Sequence, residues 1–241
     1  TPISAVLSGL LLNVALYAVM RCKVLVDGAL GTDLAGNLMM GFGLLSVVIA
    51  AFLIKRQTDV KRMFAYSSIE HMGIITFAFG MGGPLASFSG LLHMAMHSLT
   101  KSAIFFAGGH IAQVKGTQKI AEIRGLTESH PLLGWGLVLG VIAIAGMPPF
   151  GIIMSEFLII TSTFAREPTL AVVLVAGLLI GIGALVLRMQ GLAFGEPSGS
   201  HGAIKASYVP FFIHLTLVLA AGLYLPGALV SWFQSVATLV G

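Results

Sequence analysis

The sequence predicts an all-α polytopic membrane protein with about seven transmembrane helices. Three observations support this fold class. First, 57% of the 241 residues are hydrophobic and 9% are charged, whereas a soluble domain carries about 25% charged residues. Second, apolar runs of about 20 residues recur along the chain, and each is long enough to cross the hydrocarbon core of a bilayer. Third, the basic residues lie mostly between these runs, as in the loops of membrane proteins.

The predicted spans are 3–20, 34–54, 62–80, 84–112, 131–164, 168–191 and 207–236. The first contains no charge before Arg21, the second ends before Lys55, and the third opens with Lys61 and Arg62. The fourth contains the polar stretch HMAMHSLTK at 93–101. Each span is predicted to be helical because a backbone in lipid has to satisfy its own hydrogen bonds.

The later spans include two with irregular features. The fifth is too long for one straight helix and contains AGMPPFG at 145–151, where prolines remove backbone donors and glycines loosen the chain. We therefore expect a helix broken near 146–151. The sixth is apolar up to Arg188, and the last contains Pro226, after which we expect the chain to lie at the membrane interface.

Alternate loops differ in positive charge. One side receives nine of the thirteen basic residues, namely Lys55, Arg56, Lys61, Arg62, Lys115, Lys119, Arg124, Arg188 and Lys205. The other side receives Arg21, Lys23 and Arg166, which leaves Lys101 inside a span. Because cytoplasmic loops are enriched in Lys and Arg, we place the basic side in the cytoplasm. The linker 196–205 has too little soluble sequence around it for a second domain, so 1–241 is predicted to be one membrane domain.

Composition excludes several function classes. A single cysteine, Cys22, cannot form an internal disulfide or hold an iron–sulfur or nickel–iron centre alone. The net charge of +4 does not indicate nucleic acid, because the basic residues flank apolar spans instead of forming one patch. No phosphate-binding loop, dinucleotide fingerprint, catalytic triad or CxxC pair is present. The chain therefore moves or holds something, and whether it belongs to an enzyme stays open.

His93, His97 and Lys101 form a polar ladder in the fourth span. Residues four apart share one face of a helix, with about 6 Å of rise between neighbours. An ionisable residue at membrane depth costs about 2.5 to 3.5 kcal/mol, so it needs a functional or structural reason. We favour a proton path along this face. The alternative, in which the two histidines only bond to neighbouring helices, stays open.

A metal site at the ladder is not expected. Two histidines at i and i+4 can share a zinc ion. Here Met94, Ala95 and Met96 separate them, and the third member of the ladder is a lysine. The pattern lacks the glutamate of a metalloprotease helix.

Other ionisable residues lie inside or next to predicted spans. Glu156 follows the predicted break, and transporters place ion sites beside such discontinuous helices. Glu70 and His71 lie halfway along the third span and point about 100° apart on a helix, so they cannot face the same neighbour. Lys61 opens that span as a topology anchor or as a proton acceptor at the cytoplasmic end. A local, structural role for Glu156 also stays open.

Three stretches of the sequence resemble a known family. DVKRMFAYSSIEHMG, HMAMHSLTKSAIFFAGGHI and IAGMPPFGIIMSEFLI are similar to motifs of the antiporter-like membrane subunits shared by respiratory complex I, membrane-bound hydrogenases and multi-subunit cation/proton antiporters. IEHMG together with SHPLLGWGLVLGVIAIAGMPPFG most resembles the F component of hydrogenase-4-type and formate hydrogenlyase complexes. The order and spacing of the motifs agree over nearly the whole chain.

The resemblance implies a fold and a set of site residues. Family members are bundles of about fourteen helices with two inverted repeats, each containing a broken helix, and this chain resembles the later half. By resemblance, Lys101 is the central buried lysine and His93 and His97 are its connecting relay. Glu156 matches the exit residue of the broken helix, and Lys61 matches the basic residue that opens the third span. Asn13 stands where some members have a lysine, which weakens the link toward the other half.

The function implied by the resemblance is proton translocation in a hydrogenase-4-like or complex I-like redox assembly of a bacterial inner membrane. The expected partners are other membrane subunits and the lipid bilayer, with no nucleic acid. No cofactor is expected in this chain, and nickel–iron, iron–sulfur or quinone sites are expected only in partner subunits. Two alternatives stay open, a subunit of a multi-subunit sodium/proton antiporter and a non-transporting membrane scaffold for a catalytic arm.

Overall fold

The computed structural model describes residues 2–198, 202 and 206–240, and these residues form helices and turns without a β-strand. The helices are α1 (Pro2–Val6), α2 (Leu12–Leu30), α3 (Leu34–Arg56), α4 (Val60–Met81), α5 (Pro84–Lys115), α6 (Leu126–Ser129), α7 (Pro131–Ile144), α8 (Ile152–Arg166), α9 (Pro168–Ala193), α10 (Val209–Leu223) and α11 (Gly227–Val240). A π-helical turn, Leu7–Leu11, joins α1 to α2. The all-α prediction is confirmed.

Proline and glycine mark several helix ends. Pro84, Pro131 and Pro168 each occupy the first turn of a helix, where a missing N–H costs nothing and the fixed φ suits the helix. Gly31 and Gly116 end α2 and α5 with φ of 61° and 67°. Glycine adopts this left-handed conformation at a helix end without a steric penalty.

Helix α5 occupies the centre of the bundle. It packs against α1, α4, α7, α8, α10 and α11, and apolar residues of these helices form the largest hydrophobic core. Polar side chains on α5 therefore meet protein on several sides. This placement allows the ladder to be buried without contacting lipid.

Glycines bring α3 and α4 into backbone contact. A Cβ atom on Gly43 would lie 2.7 Å from the carbonyl oxygen of Gly73, and a Cβ on Gly73 would lie 2.7 Å from the carbonyl oxygen of Gly43. Larger side chains would separate the helices. Small residues at helix contacts are typical of membrane bundles, where close packing replaces the hydrophobic effect.

The predicted break in the fifth span is confirmed. Helix α7 ends at Ile144 and α8 begins at Ile152. Within the break, Gly146 has a φ of 63°, and the N–H of Gly151 donates to the carbonyl oxygen of Val218 in α10 at 2.9 Å. A neighbouring helix thus satisfies part of the backbone that the break frees, as irregular backbone at membrane depth requires.

The last predicted span is bent. Helices α10 and α11 meet at an angle of 84°, with Pro226 between them, so the chain leaves its straight path where the sequence indicated. Phe233 of α11 packs edge to face on Phe88 of α5, with 6.5 Å between the ring centroids. Helix α11 is therefore held against the bundle.

Length and composition identify fewer spans than the seven predicted. Among the described residues, three helices are long and apolar enough to cross a membrane, or four if the bent pair is one span. Helices α4 and α5 have 22 and 32 residues, but buried polar residues such as Glu70 and Lys101 make them less apolar. The break divides the fifth predicted span into two short helices.

Hydrogen bonds agree with the predicted division of basic residues between two ends of the bundle. Arg188 donates to the carbonyl oxygen of Lys55 at 2.6 Å, which joins the ends of α9 and α3. Arg166 donates to the carbonyl oxygen of Gly82 at 2.6 Å at the opposite end. Lys205, with most of the predicted linker, lies outside the described residues. Which end faces the cytoplasm stays a prediction.

Candidate functional site

Buried polar side chains cluster where α4, α5 and α8 meet. We call this group the buried polar cluster, and its members are Ser67, Glu70, His71, His93, His97, Lys101, Ser155 and Glu156. The most exposed member is Glu156, at 5%. Because each ionisable group at membrane depth is costly, so many of them together indicate a function beyond packing.

The ladder on α5 has the geometry that the sequence predicted. His93, His97 and Lys101 follow at four-residue intervals along uninterrupted helix, and all three are 0% exposed. Their side chains share one helix face. This face is turned toward α4, which supplies hydrogen-bond partners to His93 and Lys101 and places the His71 ring beside His97.

Lys101 is held by α4. Its Nζ donates to the carbonyl oxygen of Phe64 at 3.1 Å and to the hydroxyl of Ser67 at 2.8 Å. Ser68 bonds to the Phe64 carbonyl from the same helix, with 3.1 Å between Oγ and O. Two oxygen acceptors therefore surround the lysine nitrogen, and charge-assisted bonds of this type are stronger than neutral ones.

His93 joins α4 to α8. Its Nε2 lies 3.0 Å from Nδ1 of His71, and its Nδ1 lies 2.9 Å from the hydroxyl of Ser155. The His71 and His93 rings are stacked with centroids 5.2 Å apart. The nearest hydrogen-bonding partner of His93 is thus on another helix, whereas the sequence suggested His97 on its own helix.

Glu156, which lies on α8 just after the helix break, faces His71. Its Oε1 lies 3.8 Å from Nδ1 of His71, which is beyond hydrogen-bond distance, and it has no hydrogen-bond partner among the described residues. The other carboxylate oxygen lies against Gly146, where a Cβ atom would overlap it. The break thus makes room for the carboxylate.

His97 lies between the lysine and the other histidines. Its ring centroid is 5.5 Å from that of His71, and neither of its nitrogens has a hydrogen-bond partner in the described part of the chain. Buried polar atoms of this kind usually bond to internal water. A water molecule or a ring rotation is therefore needed to connect His97 with its neighbours.

Glu70 and His71 face different neighbours, as their angular separation on a helix requires. His71 meets α5 and α8, whereas the Glu70 carboxylate lies against Gly181 of α9, where a Cβ atom would overlap it. Glu70 is 2% exposed, and its Oε1 lacks a hydrogen bond within the described residues. Of the two, His71 is the one that contacts the ladder histidines.

Ligand atoms of His71, His93 and Glu156 lie within 4.8 Å of one another, so these residues are close enough to share a metal ion. The 3.0 Å separation of the two histidine nitrogens is that of a hydrogen bond. This bond accounts for the approach of the two rings. The pair that the sequence offered for a metal, His93 and His97, is not the pair that meets here, and the expectation of no metal stays a prediction.

Lys61 and Asn13 lie outside the buried polar cluster. Lys61 is half-buried at the start of α4 and lines an open groove of about 450 Å³ with Ser8 and Ser68. Asn13 donates through Nδ2 to the carbonyl oxygen of Met94 at 3.2 Å, on the side of α5 that faces α2. The hydrogen bonds of Lys101 go to Phe64 and Ser67, and the roles of Lys61 and Asn13 stay predictions.

Sequence reasoning missed the hydroxyl partners and the position of His71. Ser67 lies three residues before Glu70, and Ser155 immediately precedes Glu156. Serines adjacent to ionisable residues within apolar spans were the available signal, because a buried charge needs hydrogen-bond partners. Which helices supply those partners depends on packing that the sequence pattern does not specify.

Comparisons with known proteins agree with the motifs. Residues 1–182 match the family described as NADH:quinone oxidoreductase/Mrp antiporter, TM. The chain is 59% identical over 240 residues to the Hydrogenase-4 component F homolog of Methylacidiphilum infernorum (isolate V4), covering 100% of this chain and 50% of that protein. It is 33% identical over 186 residues to a Na(+)/H(+) antiporter subunit of Alkalihalophilus pseudofirmus, covering 73% of this chain and 36% of that protein.

A solved structure has the same fold. A chain of the membrane-bound sulfane sulfur reductase, an archaeal respiratory membrane complex, matches with a TM-score of 0.88 and 26% identity, covering 99% of this chain and 49% of that chain. The present chain thus spans about half the length of the similar hydrogenase-4 component F homolog and of this structural match. The family match and the apolar helices identify a multi-pass membrane protein.

Proposed function

The chain belongs to the NADH:quinone oxidoreductase/Mrp antiporter transmembrane family, and we propose that it is a proton-translocating membrane subunit of a hydrogenase-4-like or complex I-like redox assembly. The single observation that best supports this function is the buried polar cluster. Its titratable side chains extend from Lys101 through the histidines to Glu156 without reaching lipid. Intramembrane groups in this arrangement are typical of proton pathways.

The proposed mechanism begins at Lys101. Ser67 and the Phe64 carbonyl hold its ammonium group, so the lysine can store a proton in the bundle centre. A redox reaction in a partner subunit changes the local field, and the change alters the relative free energies of the two protonation states. Lys101 then releases its proton toward His97.

The second half of the mechanism uses the histidines and Glu156. His97 lies against His71, and the Glu156 oxygen nearest to His71 has no other hydrogen-bond partner among the described residues. A shift of less than 1 Å would close the 3.8 Å gap between His71 Nδ1 and Glu156 Oε1 to hydrogen-bond distance. Glu156 therefore accepts the proton and passes it out beside the helix break.

Redox centres and partner subunits are part of the proposal. Because one cysteine cannot by itself hold an iron–sulfur or nickel–iron centre, such centres are proposed to lie in partner subunits, and any quinone site is proposed to lie there as well. Large apolar side chains are exposed along α2 and α3, among them Tyr17, Leu25 and Phe42. These apolar side chains are proposed to contact either further membrane subunits or lipid. The host membrane is proposed to be a bacterial inner membrane.

A sodium/proton antiporter subunit is the second candidate, because a relative with 33% identity carries that description. It predicts transport that requires Na⁺ and needs no redox partner. A scaffold that moves no ions is the third possibility. It predicts that neutralising Lys101 leaves transport intact in an assembled complex.

The test uses the whole complex reconstituted in liposomes. Redox turnover and internal pH are measured together for wild type and Lys101→Met, with Na⁺ and with Na⁺ replaced by K⁺. Lys119→Met is the matched control, because Lys119 is an exposed lysine whose partner is Glu122, at 3.1 Å between Nζ and Oε1. Lys101→Met removes the charge and retains an unbranched side chain.

The proposal expects Lys101→Met to lower proton transport per redox turnover by about 100-fold or more, the contribution typical of one proton-transfer group. Lys119→Met should transport like wild type, and replacement of Na⁺ should have no effect. Loss of transport on removing Na⁺ would favour the antiporter function. Wild-type transport in Lys101→Met would contradict a proton path through the cluster.

A further inference from the structure

Ser155 lies between the broken helix and His93. The residue is 0% exposed, and its hydroxyl donates to the carbonyl oxygen of Ile152 at 2.8 Å, one turn earlier in α8. The same oxygen lies 2.9 Å from Nδ1 of His93. A hydroxyl has one proton and can accept from another donor at the same time.

These contacts favour one arrangement of the protons on the two histidines. Because the Ser155 proton points to Ile152, its oxygen accepts from His93, and Nδ1 of His93 therefore bears a proton. A neutral imidazole has one N–H, so Nε2 of His93 has a lone pair. That nitrogen is 3.0 Å from Nδ1 of His71, so in this arrangement His71 donates through its own Nδ1.

The Nδ1 proton of His71 has two acceptors within a short distance. His93 Nε2 accepts it at 3.0 Å, and Glu156 Oε1 lies 3.8 Å away with no other hydrogen-bond partner in the described residues. His93 cannot pass a proton further through Ser155, because the serine proton points at a backbone carbonyl. Glu156 is the acceptor from which the proton can leave.

We propose that Ser155 is a positioning residue that fixes the proton positions on His93 and His71, so that His71 delivers its Nδ1 proton to Glu156. The transport consequence depends on the proposed function, whereas the proton positions do not. When His97 releases a proton that bonds to Nε2 of His71, the Nδ1–H bond of His71 breaks and that proton bonds to a Glu156 oxygen. One proton enters and one leaves, and the ring stays neutral.

Delivery of the proton breaks the hydrogen bond between the two histidines. The lone pairs of His71 Nδ1 and His93 Nε2 then face each other at 3.0 Å, which is unfavourable in a buried site. Without Ser155, His93 can instead hold its proton on Nε2 and donate to His71, and His71 then has no Nδ1 proton for Glu156.

The first measurement is of the proton positions. The whole complex, labelled with ¹⁵N-histidine and reconstituted in bilayers, is studied by solid-state NMR, and the difference from His93→Gln identifies the His93 signals. Ser155→Ala, Ser155→Thr and Ser162→Ala are compared with wild type. Ser162 is the matched control because it is buried in α8 and donates to the Ile159 carbonyl at 2.9 Å, with no histidine contact in the described residues.

We expect a protonated Nδ1 and an unprotonated Nε2 on His93 in wild type, Ser155→Thr and Ser162→Ala, and a mixture in Ser155→Ala. Transport per turnover should fall about tenfold in Ser155→Ala, the effect of losing about one hydrogen bond, and recover in Ser155→Thr. A proton on Nε2 of His93 in wild type would overturn the proposal. An unchanged His93 pattern in Ser155→Ala would do so as well.

The transport assay separates this proposal from the proposed function. If Lys101→Met abolishes transport while Ser155→Ala transports like wild type, the positioning role is wrong and the proton path stands. Equal loss in Ser155→Ala and Ser162→Ala also overturns the positioning role, because it indicates general damage to α8. Normal transport in Lys101→Met contradicts the proposed function whatever the proton positions are.

Discussion

The two ends of the buried polar cluster differ in how well their charged groups are satisfied. At one end, Lys101 donates to two oxygens of α4 at 2.8 and 3.1 Å and is fully buried. At the other end, Glu156 has an oxygen without a hydrogen-bond partner among the described residues, beside a helix break. This Glu156 oxygen, Oε1, lies 3.8 Å from Nδ1 of His71.

This difference assigns different tasks to the two ends. A charge held by well-formed hydrogen bonds is stable where it is, so the Lys101 end is suited to storing a proton. An acceptor without a partner gains most from a new hydrogen bond, so the Glu156 end is suited to receiving one. In the proposed mechanism this contrast gives the direction of transfer, and each prediction below changes one end of the cluster.

The largest expected effect is at the acceptor. Glu156→Gln keeps the shape of the side chain and cannot take up a proton to become a neutral acid. We expect proton transport per redox turnover to fall about 100-fold, while the complex assembles and redox turnover continues. Proton transport is measured from the change in internal pH of liposomes that contain the reconstituted complex. The control is Glu128→Gln, which changes an exposed carboxylate, and equal loss in both variants would contradict the special role of Glu156.

A smaller effect is expected at the break. Gly146 has a φ of 63°, and a Cβ atom there would overlap a Glu156 oxygen, so Gly146→Ala strains the backbone and displaces the carboxylate. The strain alone costs about 1 to 2 kcal/mol, and we expect about a tenfold loss of transport. Gly183→Ala is the control because its Cβ would meet no atom within 4 Å. Wild-type transport in Gly146→Ala would show that the position of the carboxylate does not matter.

The smallest effect is expected at the storage end. Ser67→Ala removes one of the two acceptors of Lys101 and leaves the Phe64 carbonyl. Loss of one hydrogen bond to a buried charge costs about 1.5 kcal/mol, so we expect transport to change by about tenfold or less. Ser89→Ala is the matched control, since Ser89 is buried in α5 and donates to the carbonyl oxygen of Leu85 at 2.7 Å, well before Lys101 in the helix. A loss in Ser89→Ala as large as in Ser67→Ala would contradict a storage role for the Lys101 end.

The sequence predicted much of the fold and part of the site. Periodicity placed His93, His97 and Lys101 on one helix face because helical geometry is local. Paired prolines and glycines predicted the break at 146–151 for the same reason. The span count was less accurate, because α4 and α5 bury ionisable groups that a membrane helix normally lacks.

The contacts between helices were not predictable from these patterns. His71 proved to be the residue that joins His93, His97 and Glu156, although adjacency to Glu70 left open which of the two faced the ladder. That choice depends on how α4 rotates against α5 and α9. The hydroxyls of Ser67 and Ser155 likewise acquire their roles only when helices distant in sequence pack together.

In the proposed mechanism, a proton stored at Lys101 reaches Glu156. Time-resolved infrared spectroscopy of the reconstituted complex during redox turnover detects this arrival through the carbonyl stretch of a buried protonated carboxyl group. We expect a transient band in wild type that is absent in Glu156→Gln and also absent in Lys101→Met, where Glu156 itself is unchanged. A band of wild-type amplitude in Lys101→Met would contradict transfer from the lysine to the glutamate.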